Sequence, residues 1–186
     1  DDGTIEGGWG SENFDDEGNP THRNLLIKDG ILTSYLIDPF NGRRMNAKEN
    51  GASRRQSYKY EPTSRMSNTF ILAGKSTPEE IIKNTKFGLY AKKLGGGSVN
   101  PATGEFNFAA NEAYIVENGK ISYPVKGATL IGSGKEVLLK IDMIANDLLR
   151  AQGMCGAASG SIPTDVGQPT IRVSEMTVGG RGEKIN

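Results

Sequence analysis

The sequence predicts a β-dominated α+β fold, either a mostly antiparallel sheet or a distorted barrel, with two peripheral helices. Two apolar runs are each interrupted by a dipeptide typical of tight hairpin turns, Asp29-Gly30 and Asn118-Gly119. Glycine accounts for 25 of the 186 residues, well above its usual share, which indicates many tight turns. Short apolar runs between such turns predict about eight to ten short strands.

The first hairpin is predicted at residues 24–37. Apolar residues lie on both sides of Asp29-Gly30, and the glycine tolerates the positive φ that a type I′ turn requires. A second hairpin with the same arrangement is predicted at residues 112–125, where Asn118-Gly119 forms the turn.

Two shorter strands are predicted between the hairpins, at residues 68–73 and 105–109. In the second of these, Phe106 and Phe108 alternate onto one face of the strand. Three consecutive glycines, Gly95 to Gly97, are predicted to lie in the loop before it.

Two segments carry helix signals. Thr77-Pro78-Glu79-Glu80 provides an N-cap hydroxyl, a proline at the first helical position and a glutamate that completes a capping box. Its apolar stripe begins at Ile81 and extends to Leu89. The second helix is predicted from Lys135 to about Asp142 or somewhat beyond, with Ile141 and Ile144 on its apolar side.

The last third of the chain, residues 153–180, alternates glycine or proline with short apolar pieces. The segment 169–173 is the most strand-like of these, because the polar Thr170 and Arg172 alternate with apolar residues. Strands and long loops are therefore expected here. The length of the whole chain suits one compact domain.

Charge and cysteine content limit the possible partners and the compartment. The 22 basic and 22 acidic residues balance, so no net field attracts the chain to nucleic acid or to an anionic membrane. No apolar run is long enough to cross a bilayer, and residues 1–4 do not resemble a signal peptide. The single cysteine excludes an internal disulfide and suits a reducing compartment. We predict a soluble, cytoplasmic protein without direct contact to nucleic acid or membrane.

Few residues offer catalytic chemistry. His22 is the single histidine, which excludes paired imidazoles within this chain and favours a solvated turn residue. Asp15-Asp16-Glu17 lacks the regular spacing of a calcium loop and indicates a turn. Gly132-Ser133-Gly134 before a helix is a weak anion-binding signal, and a simple turn from strand to helix is the favoured interpretation.

Cys155 admits two interpretations. A lone cysteine is usually a small buried apolar residue, but a thiolate in a loop is also a good zinc ligand. Here the cysteine stands in Gly153-Met154-Cys155-Gly156, and the glycines let the backbone approach a neighbour closely.

Several short blocks, in their order and spacing, resemble the TldD/PmbA family of metallopeptidases, also described as modulators of DNA gyrase. The resemblance extends over almost the whole chain. The matching blocks are Asp1-Asp2-Gly3-Thr4 with Gly10-Ser11, Asp15-Asp16-Glu17-Gly18, Arg54-Arg55-Gln56-Ser57-Tyr58, Arg65-Met66-Ser67-Asn68-Thr69, Gly95-Gly96-Gly97, Glu112-Ala113-Tyr114, residues 126–134, Cys155-Gly156 and Val166-Gly167-Gln168-Pro169.

The resemblance implies a zinc site to which this chain contributes one ligand. In the family, an HExxxH helix supplies two histidines and a general base, and a cysteine from the C-terminal part is the third protein ligand. The match places that cysteine at Cys155, while the HExxxH helix is expected to precede residue 1. Residues 1–186 are then the C-terminal domain, with no catalytic residue of their own. Alone, the chain is expected to be inactive and to hold no tightly bound zinc.

The resemblance also implies a peptide substrate and a partner subunit. An unfolded peptide can add as a strand to an open sheet edge. Arg54, Arg55 and Tyr58, with the loop Gly95 to Gly97, are predicted to border such a groove. The alternative for the arginines is a solvated pair on a loop, and for the glycines a flexible connection. A homodimer, or a heterodimer with a sister subunit that lacks the metal ligands, is expected.

Three functions therefore compete. In the first, the chain is the C-terminal domain of a zinc peptidase that cleaves flexible peptides or unfolded proteins, with Cys155 as a metal ligand; the block at Arg54 to Tyr58 resembles this metal-binding type. In the second, it belongs to a non-catalytic sister subunit or a peptide-binding module. In the third, suggested by the gyrase description, it contacts nucleic acid, and its balanced charge speaks against this.

Overall fold

The computed structural model describes residues 1–180, in which fourteen strands and three helices form. The helices are α1 (Pro39–Met45), α2 (Pro78–Lys83) and α3 (Gly134–Leu139). The strands are β1 (Ile27–Lys28), β2 (Ile31–Leu32), β3 (Ser53–Arg54), β4 (Thr63–Ser64), β5 (Asn68–Phe70), β6 (Phe87–Val99), β7 (Glu105–Glu117), β8 (Lys120–Val125), β9 (Thr129–Ser133), β10 (Ile141–Ile144), β11 (Leu149–Ala157), β12 (Gly160–Gln168), β13 (Ile171–Val173) and β14 (Thr177–Gly179). Strands dominate and pair mostly antiparallel, which confirms the predicted β-dominated α+β class.

The chain divides into two compact units. The first unit holds Asp1–Leu72 and Leu148–Gln168. The second holds Ala73–Asp147 and the chain from Pro169 onward. Each unit therefore joins two segments that are distant in sequence.

The first unit contains a three-stranded sheet in the order β11-β12-β5. Strands β11 and β12 form a long antiparallel hairpin in which Cys155 lies opposite Ile162. Strand β5 runs parallel to β12, with Asn68 opposite Asp165. Two small two-stranded sheets, β1-β2 and β3-β4, complete the strands of this unit within the described residues.

The hairpin predicted around Asp29-Gly30 is confirmed, but it is shorter than predicted. Asp29 has a φ of 51° and Gly30 a φ of 77°, the positive values that a tight turn requires. The paired residues are limited to β1 and β2, two residues each. Apolar side chains such as Ile31 remain 68% exposed, so no burial stabilises a longer ladder.

The interior of the first unit is largely polar. Among the described residues, its buried apolar side chains are Ile37, Ala52 and Ile162. Its buried polar side chains are more numerous: Asp15, Asp38, Ser53, Arg54, Arg65, Ser67, Asn68, Ser159, Thr164 and Asp165. Every buried side-chain nitrogen and oxygen in residues 1–180 has a hydrogen-bond partner. Hydrogen bonds, as well as apolar packing, therefore hold this unit in one arrangement.

The second unit is built on a sheet in the order β14-β9-β7-β6, with β8 also paired to β7. The predicted hairpin at Asn118-Gly119 is confirmed, because these residues have φ values of 50° and 78° between β7 and β8. Phe106 and Phe108 lie on one face of β7, as predicted, with ring centroids 5.9 Å apart.

The loop predicted at Gly95 to Gly97 is wrong, because these glycines lie within β6. The ladder between β6 and β7 shifts register between Leu94 and Gly97, which is a local bulge. A Cβ at Gly97 would lie 2.2 Å from the carbonyl oxygen of Asn107 and 2.3 Å from a ring carbon of Phe108. The glycine therefore permits a close approach of two strands and is not a flexible connection.

Helix α2 begins as predicted but ends early. Its capping box is present: the Glu80 N–H donates to Thr77 Oγ1 at 3.2 Å, and the Thr77 N–H donates to Glu80 Oε2 at 2.8 Å. Beyond Lys83, the side chains of Asn84 and Thr85 donate to carbonyls of the last turn. Such bonds compete with helix continuation, so the predicted extension to Leu89 is wrong and that residue lies in β6.

The other two helices also differ from the prediction. Helix α3 ends at Leu139, before the predicted limit, because Ile141 belongs to β10, which pairs with β13. Helix α1 has an N-cap, Asp38, followed by proline, but it has seven residues and only one of them is buried, so no apolar stripe announces it. The predicted strand at residues 169–173 is confirmed in part, because β13 covers Ile171–Val173 only. Within residues 1–180, no helix has the length and apolar character that crossing a membrane requires.

Candidate metal-ligand site on the β11–β12 hairpin

Cys155 lies in the strand β11, three residues before the turn of the long hairpin. Its thiol is free and half-buried. Its cross-strand partner Ile162 is buried, while the adjacent Met154 projects from the opposite face and is 62% exposed. The alternation of the strand thus keeps the thiol accessible beside an apolar neighbour.

A buried arginine, Arg65, holds the backbone around this thiol. Its guanidinium donates to the carbonyl oxygen of Cys155, to Ser159 Oγ at 2.6 Å and to the Gly160 carbonyl at 2.9 Å. All three acceptors belong to the hairpin β11–β12. Arg65 is 5% exposed and forms no ion pair with any described residue.

Gln56 also forms hydrogen bonds to the turn of the same hairpin. The Gln56 N–H donates to the Ser159 carbonyl at 2.8 Å, and Gln56 Oε1 accepts from the Ser161 N–H at 2.8 Å. Gly160 lies between Ser159 and Ser161 and has a φ of 90°. A Cβ at Gly160 would lie 2.4 Å from the Cβ of Gln56. Glycine is therefore required at this position by both backbone conformation and space.

The strand that precedes Arg65 is fixed by Asp38. The carboxylate Oδ2 accepts from the Ser64 N–H at 2.8 Å and from the Ser64 hydroxyl at 2.5 Å, while Oδ1 accepts from the Asn41 N–H at 2.8 Å. Burial alone would raise the pKa of Asp38, but the hydrogen bonds from Ser64 and Asn41 outweigh it and lower the pKa to about 2. The carboxylate therefore stays ionised and joins α1 to β4.

The space beside Cys155 is open along β11. This strand lies at the edge of its sheet in the described residues. A Cβ added at Gly153 or Gly156 would meet no atom closer than 3.9 Å. The packing of the described residues does not itself require glycine at these two positions, so another polypeptide segment can approach this part of the strand.

The donor chemistry of the chain suits one position of a zinc site. Cys155 offers a sulfur donor, which zinc prefers, on a backbone held by hydrogen bonds. Within residues 1–180, no three side chains of His, Cys, Asp or Glu lie together in a way that could hold a metal ion. His22 is exposed in the first unit. These residues therefore fit a single ligand and not a complete set.

The predicted substrate-binding residues of the first unit have different surroundings. Arg54 is 4% exposed, and its guanidinium donates to the carbonyls of Met66 and Pro163 and to Glu12. The alternative of a solvated pair is thus wrong for this residue. Arg55 is half-buried with its Nε 3.7 Å from Asp16, and Tyr58 is 82% exposed.

The remaining predicted residues, Gly95 to Gly97, lie in the second unit. A Cβ at Gly95 would lie 2.3 Å from the side-chain oxygen of Asn111, whereas a Cβ at Gly96 would meet no atom within 4 Å. Gly96 therefore borders open space. Contact of any of these residues with a substrate stays a prediction.

No feature of the sequence marks Arg65 and Gln56 as residues that hold Cys155. Both lie within blocks that resemble the family, but no local pattern links them to a cysteine about a hundred residues later. Their role depends on β11–β12 folding back onto the segment that contains β3 and β4.

Comparison with known proteins identifies close relatives. A family model described as the PmbA/TldA metallopeptidase C-terminal domain matches residues 1–180. The metalloprotease TldD homolog of Haemophilus influenzae is 50% identical over 182 residues, which cover 97% of this chain and 38% of that protein. The zinc metalloprotease TldD homolog of Saccharolobus solfataricus is 30% identical over 167 residues, which cover 90% of this chain and 38% of that protein.

A solved structure has the same fold. The crystal structure of TldE from Thermococcus kodakarensis superposes with a TM-score of 0.73 at 23% identity, covering 91% of this chain and 36% of that one. At this identity the likeness shows the fold alone. The chain spans 38% of the length of the first curated relatives it matches.

Proposed function

Because this chain belongs to the PmbA/TldA metallopeptidase C-terminal domain family, we propose that it contributes to peptide-bond hydrolysis. The chain acts as the C-terminal part of a zinc metallopeptidase that hydrolyses peptide bonds in flexible peptides or unfolded proteins. Its relatives are named metalloproteases, and one of them is named a zinc metalloprotease. Without the rest of such an enzyme, the chain alone is inactive.

Cys155 is the metal ligand in this proposal. The single observation that carries it is the placement of a free, accessible thiol on an edge strand whose backbone is held by Arg65. A ligand needs a deprotonated sulfur at a fixed position, and the hairpin provides that position. The other protein ligands, two histidines in the proposal, come from a segment outside this chain that approaches β11 near Gly153 and Gly156.

The bound zinc supplies a Lewis acid that polarises the scissile carbonyl and acidifies water. The residues of this chain contribute by other means. The thiolate of Cys155 places negative charge at the metal, and Ile162 on the neighbouring strand offers an apolar surface beside it. An apolar neighbour limits access of bulk water, which strengthens electrostatic interactions at the site.

Each unit, taken by itself, offers a surface for a peptide. In the first unit Tyr58 is exposed and Arg55 is half-buried near the surface, and in the second unit Gly96 borders open space. Arg54, Gly95 and Gly97 stabilise the strands beneath these surfaces. Arg54 ties β3 to Pro163 in β12, and Gly97 permits the bulge of β6. An extended peptide that adds to a sheet edge would use such surfaces.

The assembled enzyme is a dimer, either of two copies or with a sister subunit, and works in the cytoplasm without contact to DNA. The support for the compartment is the single free thiol, which a reducing environment preserves. The balanced charge of the chain supports the absence of nucleic-acid binding.

A second candidate is a non-catalytic sister subunit or peptide-binding module of the same family. The likeness to the solved TldE structure shows the fold alone and does not distinguish the two candidates. The two candidates differ in whether Cys155 is needed for cleavage.

The test is hydrolysis of an unstructured peptide by the full-length protein that carries this chain. We expect the Cys155→Ser variant to lose at least about a hundredfold in kcat/KM, because removing a metal ligand removes the metal. Met154→Leu is the matched control, since Met154 lies on the same strand but projects from the opposite face. Unchanged cleavage by the Cys155→Ser variant would favour the non-catalytic candidate.

A further inference from the structure

We propose that Arg65 and Gln56 are positioning residues for the metal ligand Cys155. Both residues form hydrogen bonds to the β11–β12 hairpin at or near its turn. These bonds fix the position of the Cys155 thiolate. This inference rests on the proposed function, in which Cys155 coordinates the metal. Neither residue has a role in the predicted substrate-binding surface.

The contacts of Arg65 favour this role. A buried guanidinium is costly unless it is paired or fully hydrogen-bonded, and no described carboxylate pairs with it. Its side chain instead donates to three oxygens of one hairpin, one of which is the carbonyl of Cys155 itself. The planar fork of arginine can bind several acceptors at once, which a lysine cannot reproduce.

Gln56 forms hydrogen bonds to the turn and to the start of β12. Its side-chain oxygen accepts from the Ser161 N–H, and its backbone N–H donates to the Ser159 carbonyl. Ser161 lies next to Ile162, the residue opposite Cys155. The side chain of Gln56 thus fixes β12 at the level of the turn, while Arg65 fixes β11 and the turn.

The consequence for metal binding follows from the tolerance of zinc coordination. Ligand distances must lie within about 0.2 Å of their usual values for a tight site. We expect a hairpin released from one anchor to shift by more than this, because Cys155 is three residues from the turn on an edge strand. Loss of residues that orient a ligand typically costs about ten- to a hundredfold in metal affinity.

The experiment measures Co²⁺ affinity and the sulfur-to-cobalt charge-transfer absorption of the full-length protein after its native metal has been removed. The variants are Arg65→Lys, Gln56→Ala and Gln56→Glu, of which the last retains an oxygen acceptor for the Ser161 N–H. Arg150→Lys is the matched control, because Arg150 lies on the same strand β11 but pairs with Asp165 at 3.2 Å. Thermal unfolding of each variant shows whether the fold is retained.

We expect Arg65→Lys and Gln56→Ala to lose at least about tenfold in Co²⁺ affinity and to show a weaker or shifted charge-transfer band. Gln56→Glu and Arg150→Lys should bind within about twofold of the wild type. If Arg65→Lys does not fold, the exposed position of Gln56 leaves its pair of variants as the deciding comparison. Equal Co²⁺ affinity of Gln56→Ala and Gln56→Glu would overturn the proposal.

A Cys155→Ser variant separates this inference from the proposed function. If it keeps full Co²⁺ affinity, Cys155 is not a ligand and the proposed function fails. If it loses the metal while Gln56→Ala binds normally, the proposed function stands and the positioning role alone is refuted.

Discussion

The position of Cys155 is held by hydrogen bonds from residues that are distant from it in sequence. Arg65 lies 90 residues before Cys155 and donates to its carbonyl, and Gln56 binds the neighbouring turn. The residues around Cys155 left a buried apolar role and a zinc ligand both open, and the resemblance to a family favoured the ligand. The roles of Arg65 and Gln56 could not be predicted, because hydrogen bonds between distant segments leave no periodic pattern in the sequence.

Asp38 provides a test of the network at the level of one ionisable group. Its pKa is lowered to about 2 in the folded chain, below the value of 3.8 expected when unfolded. The ionised carboxylate therefore stabilises the fold above about pH 4, and this contribution is lost as the pH falls toward about 2. A shift of this size corresponds to about 2 kcal/mol.

We expect Asp38→Asn to be less stable than the wild type by about 2 kcal/mol at pH 7, with the difference shrinking between about pH 4 and pH 2. Asparagine still caps a helix well, so α1 should be retained. Urea unfolding at several pH values measures the difference. A stability gap that stays constant across this range would show that the carboxylate charge is not what stabilises the contact with Ser64.

At the scale of elements, a helix or strand could be predicted where local residue signals determine it. Hairpins with Asp-Gly and Asn-Gly turns were predictable because positive φ at two successive positions restricts the residues there. The capping box of α2 was predictable for a similar local reason. Helix α1 and the arrangement around Arg65 were not, because the first unit packs mainly through buried polar groups that an apolar pattern cannot reveal.

The bulge in β6 yields a prediction about two neighbouring glycines. We expect Gly97→Ala to lower the free energy of unfolding by about 1–3 kcal/mol, because its Cβ would clash with the backbone oxygen of Asn107. Gly96→Ala is the control, since nothing lies within 4 Å of its Cβ, and its effect should stay within about 1 kcal/mol. Chemical denaturation measures both. Equal effects would refute the close approach of β6 and β7 at this point.

The N-cap of α2 yields a second prediction at this scale. Thr77→Ala removes the hydroxyl that accepts from the Glu80 N–H and should cost about 1 kcal/mol of stability. Thr77→Ser keeps the hydroxyl and should restore most of that loss. Comparison of the two denaturation midpoints measures this. A serine variant as unstable as the alanine variant would mean that the methyl group, and not the cap, is responsible.

At the scale of the whole molecule, the chain corresponds to part of the length of its relatives. It matches a C-terminal domain family over residues 1–180 and spans 38% of the length of its curated relatives. Its predicted substrate-binding residues are divided between two compact units. Residues 1–180 fit one ligand of a zinc site, so the proposed activity needs further ligands beyond these residues.

The zinc content of the purified full-length protein is the most direct test of whether Cys155 binds the metal. Elemental analysis of the wild type should give about one zinc per chain, and the Cys155→Ser variant should retain less than about a tenth of it. The Met154→Leu variant should match the wild type. A Cys155→Ser protein that is folded and still holds one zinc per chain would show that this thiol does not bind the metal.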